Sequence, residues 1–351
     1  VNPSTMANND LGWERTRQYN LGFELGLFNN RIRLEGDFYD SQSLDLLLNV
    51  PVPTITGYST QMQNIGKVQN RGMEFTLNTK NLTGEFAWSS NFNISFNKNK
   101  VLEVGVDGRP IYGSAANANN AFITKPGYPI ASFYGYKYIG VFQSEEELAK
   151  YPHLSGDKVG DGRYEDVNKD GVLDQNDKTI LGDNNPLFTA GFSNSFSYKN
   201  FTLDIQFTGS YGAEVFSFYK RMCGIYHGDR NGMIEQLGRW QSKDQPGDGI
   251  HFRPTRTPSG WQRDPSSAWV QDASYLRLRN LTLGYNFDQK VLDKMKMKGL
   301  RLYVTGQNLF TITNYVGYDP ETSSESGLAQ GGDYLGYPAA RSFIIGANIT
   351  F

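Results

Sequence analysis

Strict alternation of apolar and polar residues is the feature that most constrains the fold of this chain. In its clearest early run, every second residue is apolar: Tyr19, Leu21, Phe23, Leu25 and Leu27. Polar or small residues fill the positions between them: Gln18, Asn20, Gly22, Glu24 and Gly26. Because a strand places successive side chains on opposite faces, this run predicts a strand with one apolar face and one polar face.

The same alternation recurs along the whole chain. Including the first run, it predicts strands near 17–28, 31–48, 65–79, 85–97, 187–198, 201–213, 270–287, 300–313 and 342–351. Asn29-Asn30 and Lys199-Asn200 join neighbouring runs and predict tight hairpin turns. The apolar phase slips between Leu278 and Leu281, which predicts a β-bulge near Arg279 and Asn280.

Alternation alone suits a soluble β-sandwich as well as a membrane barrel. Several runs are as long as a tilted membrane strand, about 9 to 11 residues. Tight turns also alternate with long connections, at about 49–64, 98–187, 213–269 and 314–341. This asymmetry, together with 22 Phe and 21 Tyr, is typical of outer-membrane barrels with short inner turns, long external loops and aromatic girdles. We therefore expect an all-β chain that forms part of a transmembrane antiparallel β-barrel.

The count of runs leads to an expectation about the whole barrel. Nine crossings are an odd number, and an odd antiparallel set cannot close without a parallel seam, so we expect further strands before Val1. The residues from Val1 onward show neither the charged nor the apolar region of a signal peptide, so we expect any targeting signal to lie upstream. We place the extended segment from Ser132 to Phe142 in the long external excursion. A single extra crossing there would put the later tight turns on the opposite side of the membrane from the earlier ones. The terminal alternation ends at Phe351, which we interpret as a signal for the barrel assembly machinery.

Composition excludes several classes of function. No stretch approaches the roughly 18 apolar residues of a helical membrane span. The chain has 34 Lys and Arg against 36 Asp and Glu, and these charges are dispersed, so we expect no nucleic-acid binding. Cys223 is the only cysteine, which rules out an internal disulfide. The motifs of common enzyme classes are absent, so we do not expect an enzyme.

One segment has the donor pattern of a calcium loop. Oxygen donors suited to calcium stand at the spacing of such loops, with Gly171 at the sharp turn: Asp166, Asn168, Asp170, Val172 through its carbonyl, Asp174 and Asp177. Asp177 occupies position 12 of the loop, counted from Asp166, where calcium loops usually have a bidentate Glu. The segments on either side of the loop do not have a helical pattern. The alternative interpretation is an Asx-rich turn without an ion.

A second candidate site is the excursion from 213 to 269. It contains aromatic side chains among charged residues: Tyr219, Tyr226, Trp240, Trp261 and Trp269. Aromatic faces beside polar groups suit sugar binding, and they also suit a contact with a partner that covers the barrel. The alternative is a loop that folds on its own aromatic residues.

Several stretches resemble the SusC/RagA outer-membrane proteins of the Bacteroidetes in order and spacing. They are Leu46 to Pro53 (LLLNVPVP), Gln63 to Phe75 (QNIGKVQNRGMEF), Asn91 to Lys100 (NFNISFNKNK), Ser132 to Tyr136 (SFYGY), the Asp166 loop with Ile180 to Gly182 (ILG), Gly191 to Ser197 (GFSNSFS), Tyr275 to Tyr285 (YLRLRNLTLGY) and Thr305 to Phe310 (TGQNLF). The resemblance implies a 22-strand barrel with an N-terminal plug, driven by TonB and capped by a SusD-like lipoprotein. The plug and the TonB box are not part of this chain.

The resemblance also implies a function, the import of glycan fragments across the outer membrane. Import of peptides by the same kind of complex is an alternative within the same fold. A soluble calcium-dependent adhesion module is an alternative of another class. That module predicts a second Asp/Asn loop, and the sequence contains one such loop.

Overall fold

The computed structural model describes residues 5–105, 108–115, 118–224, 231–255, 264–322 and 327–351. Its main sheet contains nine long strands that pair antiparallel with their neighbours, and β1 (Thr5–Met6) adds a short parallel pairing to one of them, at Thr60 and Gln61. In order across the sheet, the nine strands are β2 (Arg15–Leu27), β3 (Ile32–Pro51), β4 (Thr60–Thr83), β5 (Phe86–Glu103), β12 (Phe188–Tyr198), β13 (Phe201–Tyr211), β16 (Tyr275–Asn286), β17 (Gly299–Thr313) and β19 (Ser342–Thr350).

Three smaller sheets lie in the long connections. They comprise β6 (Ile111–Ala115), β7 (Ala118–Thr124), β8 (Ser132–Gly135) and β11 (Thr179–Gly182); β9 (Tyr138–Val141) and β10 (Gly162–Tyr164); and β14 (Glu214–Ser217), β15 (Val270–Asp272) and β18 (Gly332–Asp333). The short α-helices are α1 (Glu145–Lys150), α2 (Phe218–Gly224) and α3 (Gln289–Met295), and 3-10 turns occupy Thr54–Thr56, Gln175–Asp177, Ile234–Gly238 and Ser267–Trp269. Within the described ranges, no helix is long and apolar enough to cross a membrane.

The strand register explains how alternation produces two different faces. Residues that lie directly opposite each other in neighbouring antiparallel strands share a face. One such row crosses six strands and is apolar throughout: Leu25, Leu34, Leu77, Phe92, Phe192 and Phe207. We call this the outer face. The residues between these positions form the inner face, which carries Asn91, Ser195 and Asp204.

The predicted turns and the predicted bulge are confirmed. Asn29 and Asn30 have positive φ angles of 58° and 59°, a conformation that Asn tolerates better than most residues. In β16, Asn280 pairs with Gln206 while Leu278 pairs with Phe207, so Arg279 is the extra residue of a bulge. This extra residue restores Leu281 to the outer face, which accounts for the slip in the apolar phase.

Several strands extend further than alternation predicted, chiefly at the end that carries the long connections, and β4 extends at its tight-turn end as well. β3 and β4 contain 20 and 24 residues, against the predicted runs of 31–48 and 65–79. Ser132 to Phe142, which we placed in an excursion, supplies β8 and β9 of the smaller sheets and lies outside the main sheet.

The largest buried cluster lies in the connections and not on the sheet. It joins residues from three separate excursions, including Phe122, Phe133, Phe216, Phe218 and Ala329. We call it the excursion body. A second cluster attaches this body to the strand ends, where Val68 of β4 and Val101 of β5 pack with Ile111. Val68 follows Lys67 and precedes Gln69, so it belongs to the inner face, and the excursion body lies over that face at one end of the sheet.

Candidate functional site

The inner face of the sheet is lined by hydrogen-bonded amides, hydroxyls and paired charges. Asn91 donates to Asn78 at 2.6 Å, and Asn99 donates to Asn70 at 2.9 Å. Arg33 pairs with Glu35 at 2.8 Å. Side chains that satisfy one another and also bind water suit a wet interior, in contrast to the apolar outer face.

Trp269 lies inside the excursion body. Its side chain is 3% exposed and packs edge-on against Phe252, with ring centroids 6.0 Å apart. A residue that is this deeply buried does not reach a ligand in this conformation. The position favours the alternative interpretation for Trp269, a loop folded on its own aromatic residues.

Trp240 and Tyr219 are only partly buried, so they remain candidates for contact with a ligand or a lid. The ring of Trp240 packs on Gly160, where an added Cβ would lie 2.4 Å from the ring. Burial raises the pKa of the Tyr219 hydroxyl. Tyr226 and Trp261 lie outside the described residues.

Sequence reasoning missed the partner of Tyr219. The Tyr219 ring stacks on Tyr318, which lies in the loop after β17, with ring centroids 6.0 Å apart. Tyr318 is 63% exposed, and Tyr334 of the same loop is 59% exposed and contacts Phe218. The excursion at 314–341 therefore contributes to the aromatic surface that we predicted for 213–269 alone. The signal was present as the closely spaced tyrosines Tyr315 and Tyr318.

A buried ion-pair network holds the loop after β17 against the inner face. Arg277 of β16 is 3% exposed and donates to Asp319 at 2.6 Å and to Glu321 at 2.5 Å. Glu321 also accepts from Arg279, the bulged residue, and from the hydroxyl of Tyr275 at 2.5 Å. The bulge thus turns a second arginine toward the same carboxylate.

Asp319 is the second anchor of this network. Burial by itself opposes ionisation of its carboxyl group, but hydrogen bonds from Arg277 and from the backbone amides of Ala339 and Glu321 outweigh it and lower the pKa of Asp319. The amide of Ala339 lies 2.9 Å from the carboxylate. The ionised carboxylate therefore joins both ends of the loop to the sheet.

The candidate calcium loop is closed by its own backbone amides. Asp166 accepts from Lys169 at 2.6 Å and from Gly171 at 2.9 Å, and Asp170 accepts from Val172 at 2.9 Å. Across the part of the chain that the structure describes, no three His, Cys, Asp or Glu side chains converge as they would around a metal ion. The oxygen donors fit calcium chemically, while their arrangement fits the Asx turn that we gave as the alternative.

Asp177, the residue that departs from the calcium-loop pattern, holds the two ends of this loop together through hydrogen bonds. It is fully buried and accepts from the amides of Val167 at 2.9 Å and Asp174 at 2.8 Å. Asp174 in turn caps the 3-10 turn by accepting from Asn176 at 2.7 Å. Asn168 donates to Asp170 at 2.9 Å. Leu173 anchors the loop in a small cluster with Tyr136 and Tyr164.

The last strand presents an apolar outer face up to the end of the chain. Phe343 and Ile345 are 73% and 84% exposed, and β19 ends at Thr350. Phe351 is 76% exposed and follows in the same alternation. Its role as an assembly signal stays a prediction.

An antiparallel sheet of long strands, with an apolar outer face, a polar inner face and long folded connections at one end, is the wall of an outer-membrane β-barrel. The model of the family described as "TonB dependent receptor-like, beta-barrel" matches residues 1–309. The chain belongs to this family, and its place is the bacterial outer membrane.

Named relatives and solved structures narrow the type to SusC/RagA. The chain is 36% identical to TonB-dependent receptor P3 of Formosa agariphila, over 98% of this chain and 35% of that protein. It is 30% identical to TonB-dependent receptor SusC of Bacteroides thetaiotaomicron, over 98% of this chain and 32% of that protein. The structure of the RagAB peptide transporter matches with a TM-score of 0.81 at 24% identity, over 99% of this chain and 36% of that chain. The chain thus spans about a third of the length of these relatives.

Proposed function

We propose that this chain forms the C-terminal wall and the outer mouth of a TonB-dependent importer of oligosaccharides. The observation that carries TonB-dependent import is the match to TonB-dependent receptor SusC along 98% of the chain. The choice of oligosaccharides as substrate rests on the aromatic surface. The excursion body adds a physical reason, because it places partly exposed tyrosines over the polar inner face. Aromatic faces beside hydrogen-bonding groups suit a sugar, which has apolar ring faces and a rim of hydroxyls.

The same proposal includes two partners that the chain itself does not contain. TonB would act through the part of the protein outside this chain, and a SusD-like lipoprotein would cover the excursion body. The names of SusC and RagAB support both partners. Import of peptides is the second candidate function, favoured by the peptide transporter whose fold this chain shares.

Ligand analysis of the intact complex tests the substrate class. The transporter would be purified with its lipoprotein partner from the native cell, and its bound ligand identified by mass spectrometry. We expect oligosaccharides, and we expect their uptake by cells to stop when TonB is deleted. Recovery of peptides alone would replace the glycan proposal with the peptide one. Uptake that does not depend on TonB would contradict both.

We further propose that the loop from Asp166 to Asp177 takes up a calcium ion as a structural ligand. Each carboxylate has about four lone-pair positions, so a bond to one or two amides leaves donors for a cation. The ion would draw together the oxygens of Asp166, Asp170 and Asp174.

The thermal midpoint of the intact protein measures this binding, because a ligand that binds only the folded state raises stability with its concentration. We expect calcium to raise the midpoint of the natural protein and not that of Asp170→Ala. Asp244→Ala is the control, because Asp244 is an exposed carboxylate outside the loop. An unchanged midpoint for the natural protein in millimolar calcium would contradict the proposal.

A further inference from the structure

The outer face changes from apolar to charged at one level of the sheet. The last apolar row across β2 to β5 is Leu21, Phe38, Met73 and Phe96. The next row toward the long connections is Tyr19, Asp40, Arg71 and Lys98. The row after that is Arg17, Gln42, Gln69 and Lys100. Two residues along a strand span about 7 Å, so the change from apolar to charged side chains takes a single step.

Cations predominate on this part of the outer face. We call the set the cationic band: Arg15, Arg17, Lys67, Arg71, Lys98 and Lys100. Three of its members have carboxylate partners: Arg15 with Asp45 at 2.6 Å, Arg71 with Asp40 at 2.6 Å, and Lys67 with Glu103 at 3.6 Å.

The other three cations of the band have no ion pair with the residues that the structure describes. Arg17 donates from Nε to the hydroxyl of Tyr19 at 2.7 Å, and its guanidinium lies over the Tyr19 ring. Lys98 and Lys100 are exposed and stand two residues apart on β5. Their amines are therefore available for an anion.

The opposite boundary of the outer face has a different character. At the tight-turn end the outer face is aromatic, with Trp88 stacked on Phe196 at 5.7 Å and Phe201 packed against Tyr285 at 4.9 Å. Lys199 in the turn lies 3.8 Å from Glu85. Cations on the outer face of the strands themselves thus distinguish the end with the long connections, which is the external end in outer-membrane barrels. At the other end, Lys290 and Lys294 lie on helix α3, outside the sheet.

We propose that the cationic band binds the phosphorylated headgroups of anionic lipids in the outer leaflet. A lipid against this wall places its acyl chains on the apolar rows and its headgroup one row further out. Phosphate oxygens accept strong hydrogen bonds from Lys and Arg, and basic residues at a membrane surface attract anionic lipid. The order of an apolar row followed by two rows that carry arginine and lysine matches the order of acyl chains and charged headgroup in the lipid.

Lipid titration of the intact, detergent-solubilised transporter tests the proposal by native mass spectrometry. The probes are a monophosphorylated lipid A, the same lipid after dephosphorylation, and inorganic phosphate. The variant is Arg17→Gln with Lys98→Gln and Lys100→Gln. The control removes the same number of charges at the other end, by Lys199→Gln with Lys290→Gln and Lys294→Gln, all of which are exposed.

We expect the phosphorylated lipid to bind the natural protein and the control equally. Each basic residue near a membrane surface contributes about fivefold in affinity, so the variant should bind about a hundredfold more weakly. Removing the phosphate from the lipid should weaken its binding to the natural protein to a similar degree, and this arm does not depend on folding of a variant.

Three results would overturn the proposal. Equal binding of the phosphorylated and dephosphorylated lipids would show that the band does not recognise phosphate. Full displacement of the lipid by an equal concentration of inorganic phosphate would assign the band to a free anion. A variant that keeps its lipid affinity but loses its lipoprotein partner would make the band a protein contact.

Discussion

Tyr219 of α2 stacks against Tyr318, which follows β17, with ring planes inclined by 29°. The two residues come from different excursions, and the stack leaves Tyr318 63% exposed. Because the ion pairs of Arg277 hold the loop of Tyr318 against the inner face, the aromatic surface has a fixed position over the interior of the sheet.

Tyr318→Ala should weaken the binding of oligosaccharide to the intact complex by about 1 to 2 kcal/mol, because it removes an aromatic face from the proposed surface. The thermal midpoint should change little, since the ring is mostly exposed. Calorimetric titration of the intact complex measures the affinity. Tyr337→Ala is the control, because Tyr337 is 98% exposed. Equal losses of affinity in both variants would remove Tyr318 from the site.

Trp269→Ala should destabilise the excursion body by about 3 to 5 kcal/mol, the usual cost of removing a large buried aromatic side chain. Leu237→Ala is a matched change in the same excursion, and it should have little effect because Leu237 is 73% exposed. Hydrogen exchange of the amides in β14 and β15 reports the difference. Faster exchange in the Trp269 variant alone is the expected result, and equal protection in both variants would contradict it.

Arg277→Gln should release the loop from 314 to 341, since it leaves the buried Asp319 without its charged partner at a cost of about 3 to 5 kcal/mol. Glu321 keeps its bonds to Arg279 and Tyr275. The lowered pKa of Asp319 adds a pH dependence. A carboxyl group with a depressed folded pKa stabilises the fold above its unfolded pKa, near 3.9 for Asp, and this contribution is lost as the pH falls through the lower folded value.

Limited proteolysis of the loop at several pH values measures both effects. The natural protein should become susceptible in acid below about pH 4, and Arg277→Gln should be susceptible at neutral pH. Arg239→Gln is the control, because Arg239 bonds only locally to the carbonyl of Gln236 at 3.1 Å among the contacts of the described residues. A loop that stays resistant in the Arg277 variant would contradict the anchoring role.

The local pattern of apolar and polar residues was sufficient to predict the main sheet but not the structure of the long connections. Alternation predicted the long strands, and one phase slip located the bulge at Arg279, because both follow from which medium each side chain meets. The stacking of Tyr219 on Tyr318 depends on how two connections that are distant in sequence pack together. The periodicity of a short run of residues contains no information about that packing. Helix α3 was also missed: its short amphipathic segment lies in a connection that alternation does not describe. The depth of Trp269 could not be predicted either, since an aromatic residue in a polar loop suits both a binding surface and a small core.

The central claim is that the face carrying Phe92 meets lipid and that the face carrying Asn93 does not. Phe92 is the middle of the apolar series Trp88, Phe92 and Phe96 along β5, so an arginine there would lie near the centre of the bilayer and cost about 2 to 4 kcal/mol. Heat-modified gel mobility of Phe92→Arg and Asn93→Arg in the intact protein measures assembly of the barrel directly. We predict that Phe92→Arg reduces the folded form while Asn93→Arg preserves it, and equal folded fractions in the two variants would contradict the account.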